Sequence, residues 1–165
     1  MESKKGDETK ENRIMSHFFG FEADFAATLR CIPMIVRYKL DLCGVKLKLS
    51  HWHQLTQNQR QWLVTAPCDS PETRDNYRQQ LRDWVTQNHG APPSDLEMPQ
   101  PFPWDIITEI PETVQQQLTK VPHHTLTVEK WAALTPLQRF ALVKLSQPGH
   151  ENRNFWPALQ EFGLA

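Results

Sequence analysis

Three cysteines are the side chains in this sequence best suited to metal or redox chemistry. Cys31, Cys43 and Cys68 are odd in number and widely spaced, which is untypical of the disulfide framework of a secreted protein. No two of them form the C-x-x-C pair that local zinc and iron–sulfur sites use. We interpret Cys31 and Cys43 as small buried hydrophobic residues, with a redox or metal-binding role as the alternative.

A polar turn near the end of the chain is the second candidate for chemistry. The segment GHENRN, from Gly149 to Asn154, gathers a base, an acid and a cation in one stretch predicted to be non-helical. His150, Glu151 and Arg153 could transfer protons, but catalysis would also need a pocket and matched pKa values. The same side chains can hold the loop, with Asn154 capping the last helix, or contact a partner. We favour these two roles and predict no catalytic residue.

The histidines do not form a recognisable metal site. His51 and His53 are two residues apart on a predicted helix, so they point in different directions, and we place both at the surface. His123 and His124 have no third ligand at a useful spacing. The chain also lacks G-x-S-x-G, P-loop and G-x-G-x-x-G motifs. We therefore expect no bound metal, no cofactor and no enzymatic activity.

Charge is distributed unevenly although the net charge is only -1. Residues 14–68 carry six basic and three acidic side chains, residues 69–112 three and nine, and residues 113–165 five and three. No basic block is dense enough to bind a phosphate backbone, so nucleic acid is not expected as a partner. The asymmetry fits a protein partner better.

The first thirteen residues, MESKKGDETKENR, hold four acids and four bases, which predicts a disordered charged tail over residues 1–15. This opening lacks the apolar run of a secretory signal. No stretch of about 18 apolar residues occurs that could cross a membrane. We expect a cytoplasmic protein without a membrane partner, folded as one helical domain over residues 16–165.

Hydrophobic periodicity indicates a mainly α fold. Helices are predicted from about Glu22 to Arg30 and from Pro33 to Gly44, the second with Ile32, Val36, Leu40 and Cys43 on one face and Arg37 and Asp41 on the other. VKLKL, residues 45–49, and HTLTV, residues 124–128, alternate in polarity, and we predict that they pair as a short two-stranded β-ribbon.

The chain contains a duplicated unit. Shifting it by 79 residues aligns HWHQLTQNQRQWLVT with KWAALTPLQRFALVK, and seven of the thirteen positions from Trp52 to Val64 are identical. Each copy, over about residues 45–68 and 124–147, predicts a short helix with a Trp, a break at a capping Thr and a longer helix. The second copy has little polar surface, so its long helix should be central, whereas the first should lie nearer the surface.

The remaining segments are a long helix, a crossover and two short helices. Ser70 and Pro71 open a helix that ends before Gly90. Its Arg74, Arg78 and Arg82 lie on a face interpreted as solvated and salt-bridged, or alternatively as a docking stripe. Six prolines make residues 91–111 an extended crossover, whose aromatic residues should pack on the body. IPETVQQQL forms a short helix, and the last helix stops at Gly163.

Two stretches resemble a known family. They are FEADFAATLRCIPMIVRYKLDLCGVKLKLS near the start and WAALTPLQRFALVKLSQPGHENRNFWPALQEFG at the end. Strings such as RCIPM, KLD-x-CG-x-KL, LTPLQRFAL and PGHENRNF are much more specific than a short catalytic pattern. The chain resembles the nitrate reductase-associated protein family, found beside assimilatory nitrate reductase in cyanobacteria and some other bacteria. The resemblance runs from about Phe18 to Leu164 and is weakest between Asp69 and Thr127.

The resemblance implies an accessory protein that nitrate reductase, a molybdenum-cofactor and iron–sulfur enzyme, needs in order to become active. It would act as an assembly or maturation factor, or as a small bound subunit, and no catalytic residues carry over. We predict partner contacts by charged residues that have no obvious role inside the fold, namely Arg30, Arg37, Asp41, His150, Glu151 and Arg153. The alternative is a small metal- or redox-active protein that uses Cys31, Cys43 and His150 to deliver metal or electrons.

Overall fold

The computed structural model of this protein describes residues 15–165, and of His150 only the backbone. The predicted tail, residues 1–15, lies outside the described residues except for Met15. The fold is mainly α with one two-stranded antiparallel ribbon, as predicted. The chain divides into two compact units at the Met98–Pro99 bond, and each is described by itself. That residues 16–165 behave as one domain stays a prediction.

The first unit contains five α-helices and both strands of the ribbon within its described residues. A 3-10 helix, Gly20–Glu22, precedes the first of them. The α-helices and strands are α1 Ala23–Ala26, α2 Met34–Cys43, β1 Val45–Lys46, α3 Leu49–Gln54, α4 Gln57–Thr65, α5 Pro71–His89 and β2 Ser94–Asp95. No helix in the described part of either unit is both long and apolar enough to cross a membrane.

Helix α2 has the predicted ends, and a distant carboxylate completes its first turn. Pro33 takes the N-cap position, but its side chain has no acceptor to offer to the first amides. Both carboxylate oxygens of Glu22 instead lie within hydrogen-bonding distance of the amide N of Met34, at 3.4 and 3.2 Å. A buried negative charge at a helix N-terminus is also favoured by the helix dipole.

We expect Glu22→Ala to lower the free energy of unfolding by about 2 kcal/mol, because the first turn of α2 loses its acceptor in a buried place. Urea denaturation followed by circular dichroism measures this loss. Glu97→Ala removes an exposed carboxylate from the same unit and is the control. A loss for Glu22→Ala no larger than the control's would contradict the capping role.

The helix predicted from Glu22 to Arg30 is shorter than expected. Helix α1 ends at Ala26, and Leu29 adopts a left-handed backbone with φ 56°. Its side chain is nevertheless only 1% exposed. The left-handed conformation is unfavourable for a residue with a Cβ atom, and burial of Leu29 offsets this cost. The same conformation turns the chain toward α2.

The predicted pairing of the ribbon is wrong. Strand β1 pairs antiparallel with β2, with Val45 opposite Asp95, and not with residues 124–128. Thr127 is instead the N-cap of a helix, and the amide of Thr125 donates to the carbonyl of Leu164. The turn into β1 needs glycine, because Gly44 has φ 69° and an added Cβ would lie 3.0 Å from the Leu96 carbonyl oxygen.

The second unit is built around one apolar helix. Its α-helices are α6 Glu112–Leu118, α7 Val128–Ala133, α8 Pro136–Ser146 and α9 Phe155–Glu161, with 3-10 helices Pro103–Asp105 and His150–Asn154. Most of α8 is buried, and it contacts the other elements of the unit, which confirms its predicted central position. Residues 91–111 contain no α-helix, and Phe102 and Trp104 are buried as expected of the crossover.

The two copies of the duplicated unit fold in the same way. Helices α3 and α4 in the first copy, and α7 and α8 in the second, are joined at Thr56 and Thr135. Each threonine accepts a hydrogen bond from the amide of a glutamine three residues on, and that glutamine accepts from the threonine's amide. Both predicted capping boxes are confirmed.

The shared Trp and Arg of each copy also have equivalent roles. The indole nitrogens of Trp52 and Trp131 donate to the carbonyls of Leu29 and Ile106, each more than twenty residues upstream. Arg60 donates to the carbonyls of Leu29, Trp52 and His53. Arg139 donates to those of Trp104, Trp131, Ala132 and Leu134. In each copy, the Trp and the Arg therefore connect the turn between the two helices to an earlier segment of the same unit.

Candidate functional site

The candidate partner residues of the first unit have three different environments. Arg30 is exposed, and its guanidinium forms no hydrogen bond or ion pair with another described residue. Arg37 is half-buried and donates from Nε to the Ile32 carbonyl at 3.1 Å. Asp41 is buried, contrary to its predicted place on the polar face of α2, because α2 packs against both α4 and α5 and so covers a second face. Of these three side chains, Arg30 is the most exposed.

The candidates of the second unit lie in the segment 150–154, which forms a 3-10 helix and not the predicted non-helical turn. Arg153 is exposed without a hydrogen bond or ion pair among the described residues, whereas Glu151 is half-buried and interacts within the protein. The side chain of His150 lies outside the described part. Asn154 occupies the N-cap position of α9 without a side-chain cap, because the 3-10 helix runs directly into α9.

A polar groove of about 400 Å³ lies beside this segment in the second unit. Its lining combines amide, hydroxyl and ammonium groups with backbone: Thr113, Gln116, Gln117, Lys120, Ser146, Pro148, Gly149 and Asn152. Gln117 Nε2 donates to Asn152 Oδ1 at 2.9 Å, and Asn152 Nδ2 donates to the Leu145 carbonyl at 3.0 Å. The floor of the groove is therefore held in place before any ligand binds.

Lys120 is the positive charge of this groove. It is exposed, and its ammonium group has no hydrogen-bond or ion-pair partner among the residues that the structure describes. Amides and hydroxyls can pair with an extended peptide backbone, while a lysine favours a carboxylate. Sequence reasoning missed the groove, although the amide run from Gln115 to Gln117 was a signal of a polar helix face.

The three arginines of α5 are engaged with the first unit's own chain. Arg74 Nε donates to the Cys68 carbonyl at 3.3 Å, and Arg78 Nη1 donates to the carbonyls of Cys43 and Gly44, both at 2.9 Å. Arg82 and Arg78 both pair with Asp95 on β2. The predicted salt bridges of this face are present, formed with Asp95 on β2, and the side chains of Arg78 and Arg82 remain about 30% exposed. The alternative of a docking stripe stays a prediction.

The cysteines are arranged differently from the prediction. Cys31 is exposed in the turn before α2, so its interpretation as buried is wrong, while Cys43 at the other end of α2 is half-buried. At 1.5 Å per helical residue the two are separated by roughly 15 Å, too far to share a metal ion. Cys43 instead lies near Cys68, which is buried, so each thiol influences the pKa of the other.

The thiol pair lies beside a buried lysine. Lys39 Nζ donates to the carbonyls of Val64 and Ala66, both at 2.6 Å, and burial lowers its pKa to about 8. Interaction with the Cys68 thiol, together with burial, raises the pKa of Cys43. The same interaction, with the charges of Lys39 and Arg74, lowers the pKa of Cys68 against the effect of burial. Cys68 was missed from sequence because no local motif links it to Cys43.

The histidines also differ from expectation at one position. His53 is exposed as predicted, but His51 is buried: its Nδ1 accepts from the amide of Lys48 and its ring packs edge-on against His89 at 4.6 Å. Burial, followed by the charges of His89 and Lys48, lowers the pKa of His51. No group of three or more His, Cys, Asp or Glu side chains among the described residues could hold a metal ion.

Comparisons with known proteins connect this arrangement to one family. The family model described as conserved nitrate reductase-associated protein matches residues 18–162. The match includes both copies of the duplicated unit, the thiol pair and the groove. No curated protein and no solved structure matches the chain.

Proposed function

Because the chain belongs to the conserved nitrate reductase-associated protein family, we propose that it is an accessory protein that acts by binding nitrate reductase and not by catalysis. The family match over residues 18–162 is the observation that carries this proposal. As the resemblance implies, the partner is a molybdenum-cofactor and iron–sulfur enzyme. The accessory protein assists its assembly or maturation, or remains on it as a small subunit.

The use of buried and half-buried cations supports binding over catalysis. A catalytic cation must face its substrate, where it stabilises charge that develops in the reaction. Among the described residues, six cationic side chains donate to backbone carbonyls of the chain itself: Arg37, Lys39, Arg60, Arg74, Arg78 and Arg139. Because these charges stabilise the fold, we infer that exposed groups recognise the partner.

We place the docking site at the polar groove of the second unit. Its amides and hydroxyls suit an extended peptide backbone, and Lys120 and the exposed Arg153 favour acidic side chains on that peptide. Because the hydrogen bond between Gln117 and Asn152 already orders the floor of the groove, these side chains lose less conformational entropy when a peptide binds. The proposed occupant is therefore an extended acidic segment of nitrate reductase.

The test is co-purification from nitrate-grown cells that carry a tagged copy of the protein. Wild-type protein should recover nitrate reductase, and Lys120→Glu with Arg153→Glu should reduce the recovery on the order of tenfold, because like charges then meet across the interface. Lys46→Glu reverses an exposed lysine of the first unit and should leave recovery unchanged. Lys120→Arg with Arg153→Lys keeps both charges and should retain binding.

Two outcomes would count against this proposal. Recovery of no reductase by the wild-type protein would overturn the accessory role itself. Equal recovery with the double reversal, but loss with Arg30→Glu, would overturn the groove as the docking site and move it to the first unit. Molybdenum and iron content of the co-purified reductase, with and without the accessory protein, separates maturation from stable association.

A further inference from the structure

The thiol pair of the first unit has a geometry that the accessory role does not use. Cys43 lies in the last turn of α2 and Cys68 in the segment between α4 and α5, 25 residues apart by their numbers. Their thiols lie close together beside the C-terminal end of α2, where each affects the pKa of the other. Each also lies near a carbonyl of α2, with Cys43 Sγ 3.6 Å from that of Leu40 and Cys68 Sγ 3.7 Å from that of Lys39.

The backbone on both sides of the pair is held by α5. Arg78 donates to the carbonyl of Cys43 and Arg74 donates to that of Cys68. These ties come from successive turns of one helix, so the two cysteines are held side by side on a common support. Two thiols held next to each other on a fixed support need little backbone movement to join.

The electrostatic surroundings favour a thiolate at Cys68. Lys39 and Arg74 place positive charge near its sulfur, opposed by the carboxylate of Asp69. Interaction with the Cys43 thiol is the largest effect that lowers the pKa of Cys68, and burial of the sulfur opposes it. Cys43 is half-buried, so a small oxidant can approach the pair from its side. A thiolate of this kind is the nucleophilic form of cysteine.

We propose that Cys43 and Cys68 are a redox-active dithiol, oxidised by hydroperoxides to an intramolecular disulfide. The Cys68 thiolate attacks hydrogen peroxide, its sulfur is oxidised to a sulfenic acid as the O–O bond breaks, and hydroxide leaves. The Cys43 sulfur then attacks the Cys68 sulfur, forming the S–S bond and breaking the S–O bond. The second hydroxide takes the Cys43 proton as water. Overall two thiols and one peroxide give one disulfide and two waters, and a dithiol reductant reverses the change.

The experiment treats the reduced full chain with hydrogen peroxide at neutral pH, then blocks the remaining thiols and maps the peptides by mass spectrometry. The expected product is a monomer lighter by two hydrogens, in which Cys43 is linked to Cys68 and Cys31 is alkylated. Dithiothreitol should restore three free thiols. Cys31→Ser should behave as wild type, whereas Cys43→Ser and Cys68→Ser should form no internal link.

A second measurement tests whether the fold selects this pair. The same oxidation in guanidinium chloride should lose the preference and give mixtures of the possible links, because the support from α5 is gone. Linkage of Cys31 in the native protein, or over-oxidation of Cys68 without any link to Cys43, would overturn the proposal. Both results are independent of nitrate reductase binding, so they leave the accessory role untouched.

Discussion

Replacing Arg139 with methionine is expected to lower the free energy of unfolding of the second unit by about 4 kcal/mol. Arg139 is only 6% exposed. It donates to four backbone carbonyls, those of Trp104, Trp131, Ala132 and Leu134. Methionine occupies a similar volume but donates nothing, and water has little access to replace the lost donor. Most of the loss comes from carbonyls left without partners.

The duplication supplies a matched comparison. Arg60 occupies the equivalent position in the first copy and donates to carbonyls in the same manner, but it is half-buried. Water can therefore replace part of what Arg60→Met removes, and we expect a loss of about 2 kcal/mol there. Native-state hydrogen exchange at the amides of α8 and α4 measures the two losses separately.

Arg139→Lys separates charge from geometry. Lysine keeps the positive charge, but its single ammonium group cannot reach carbonyls on both sides as the planar guanidinium does. It should recover less than half of the stability lost in Arg139→Met. If Arg139→Met cost no more than Arg60→Met, the burial argument would be wrong.

Local signals in the sequence were sufficient for most helix ends. The Thr–Gln capping boxes, Pro71 after Ser70 and the glycines at positions 44 and 90 each act within a few residues, and the structure uses them as predicted. The duplication was visible because its shared residues carry the same hydrogen bonds in both copies. A structural feature that depends on interactions within a few residues can therefore be predicted from the local sequence.

Long-range pairings could not be predicted in the same way. The alternation in VKLKL indicates a strand but does not choose between Ser94–Asp95 and residues 124–128 as its partner. The same limit applies to the candidate site. Asp41 is buried because two helices cover α2, and Cys68 lies near Cys43 only because the segment after α4 returns to α2. Neither the burial of Asp41 nor the proximity of Cys68 to Cys43 can be predicted from residue spacing along the chain.

Lys39 should give the protein an unusual gain in stability at high pH. Burial lowers its pKa to about 8 from the ordinary value of 10.5, with the charge of Cys68 opposing part of that shift. Between these pH values the unfolded chain binds more protons than the folded chain, so the free energy of unfolding rises with pH. The contribution amounts to about 3 kcal/mol by pH 10.5, since each pKa unit corresponds to about 1.4 kcal/mol.

The measurement compares wild type with Lys39→Met by urea denaturation from pH 7 to pH 10.5. Relative to the variant, the wild-type protein should become steadily more stable above pH 8. Burial also raises the pKa of Tyr77, which favours the unfolded chain at the highest pH, but this residue is present in both proteins and cancels in the difference. Lys46→Met makes the same substitution at an exposed site and shows the effect of removing a lysine alone.

The thiolate at Cys68 needs its own control, because Lys39 and Cys68 influence each other's protonation. With Cys68→Ser in both proteins, Lys39 loses the negative charge that raises its pKa, so the gain in stability should begin below pH 8. A stability difference that stays constant from pH 7 to pH 10.5 in both backgrounds would show that Lys39 keeps its proton equally in the folded and unfolded chain. Its two carbonyl partners at 2.6 Å would then hold the ammonium form as well as water does.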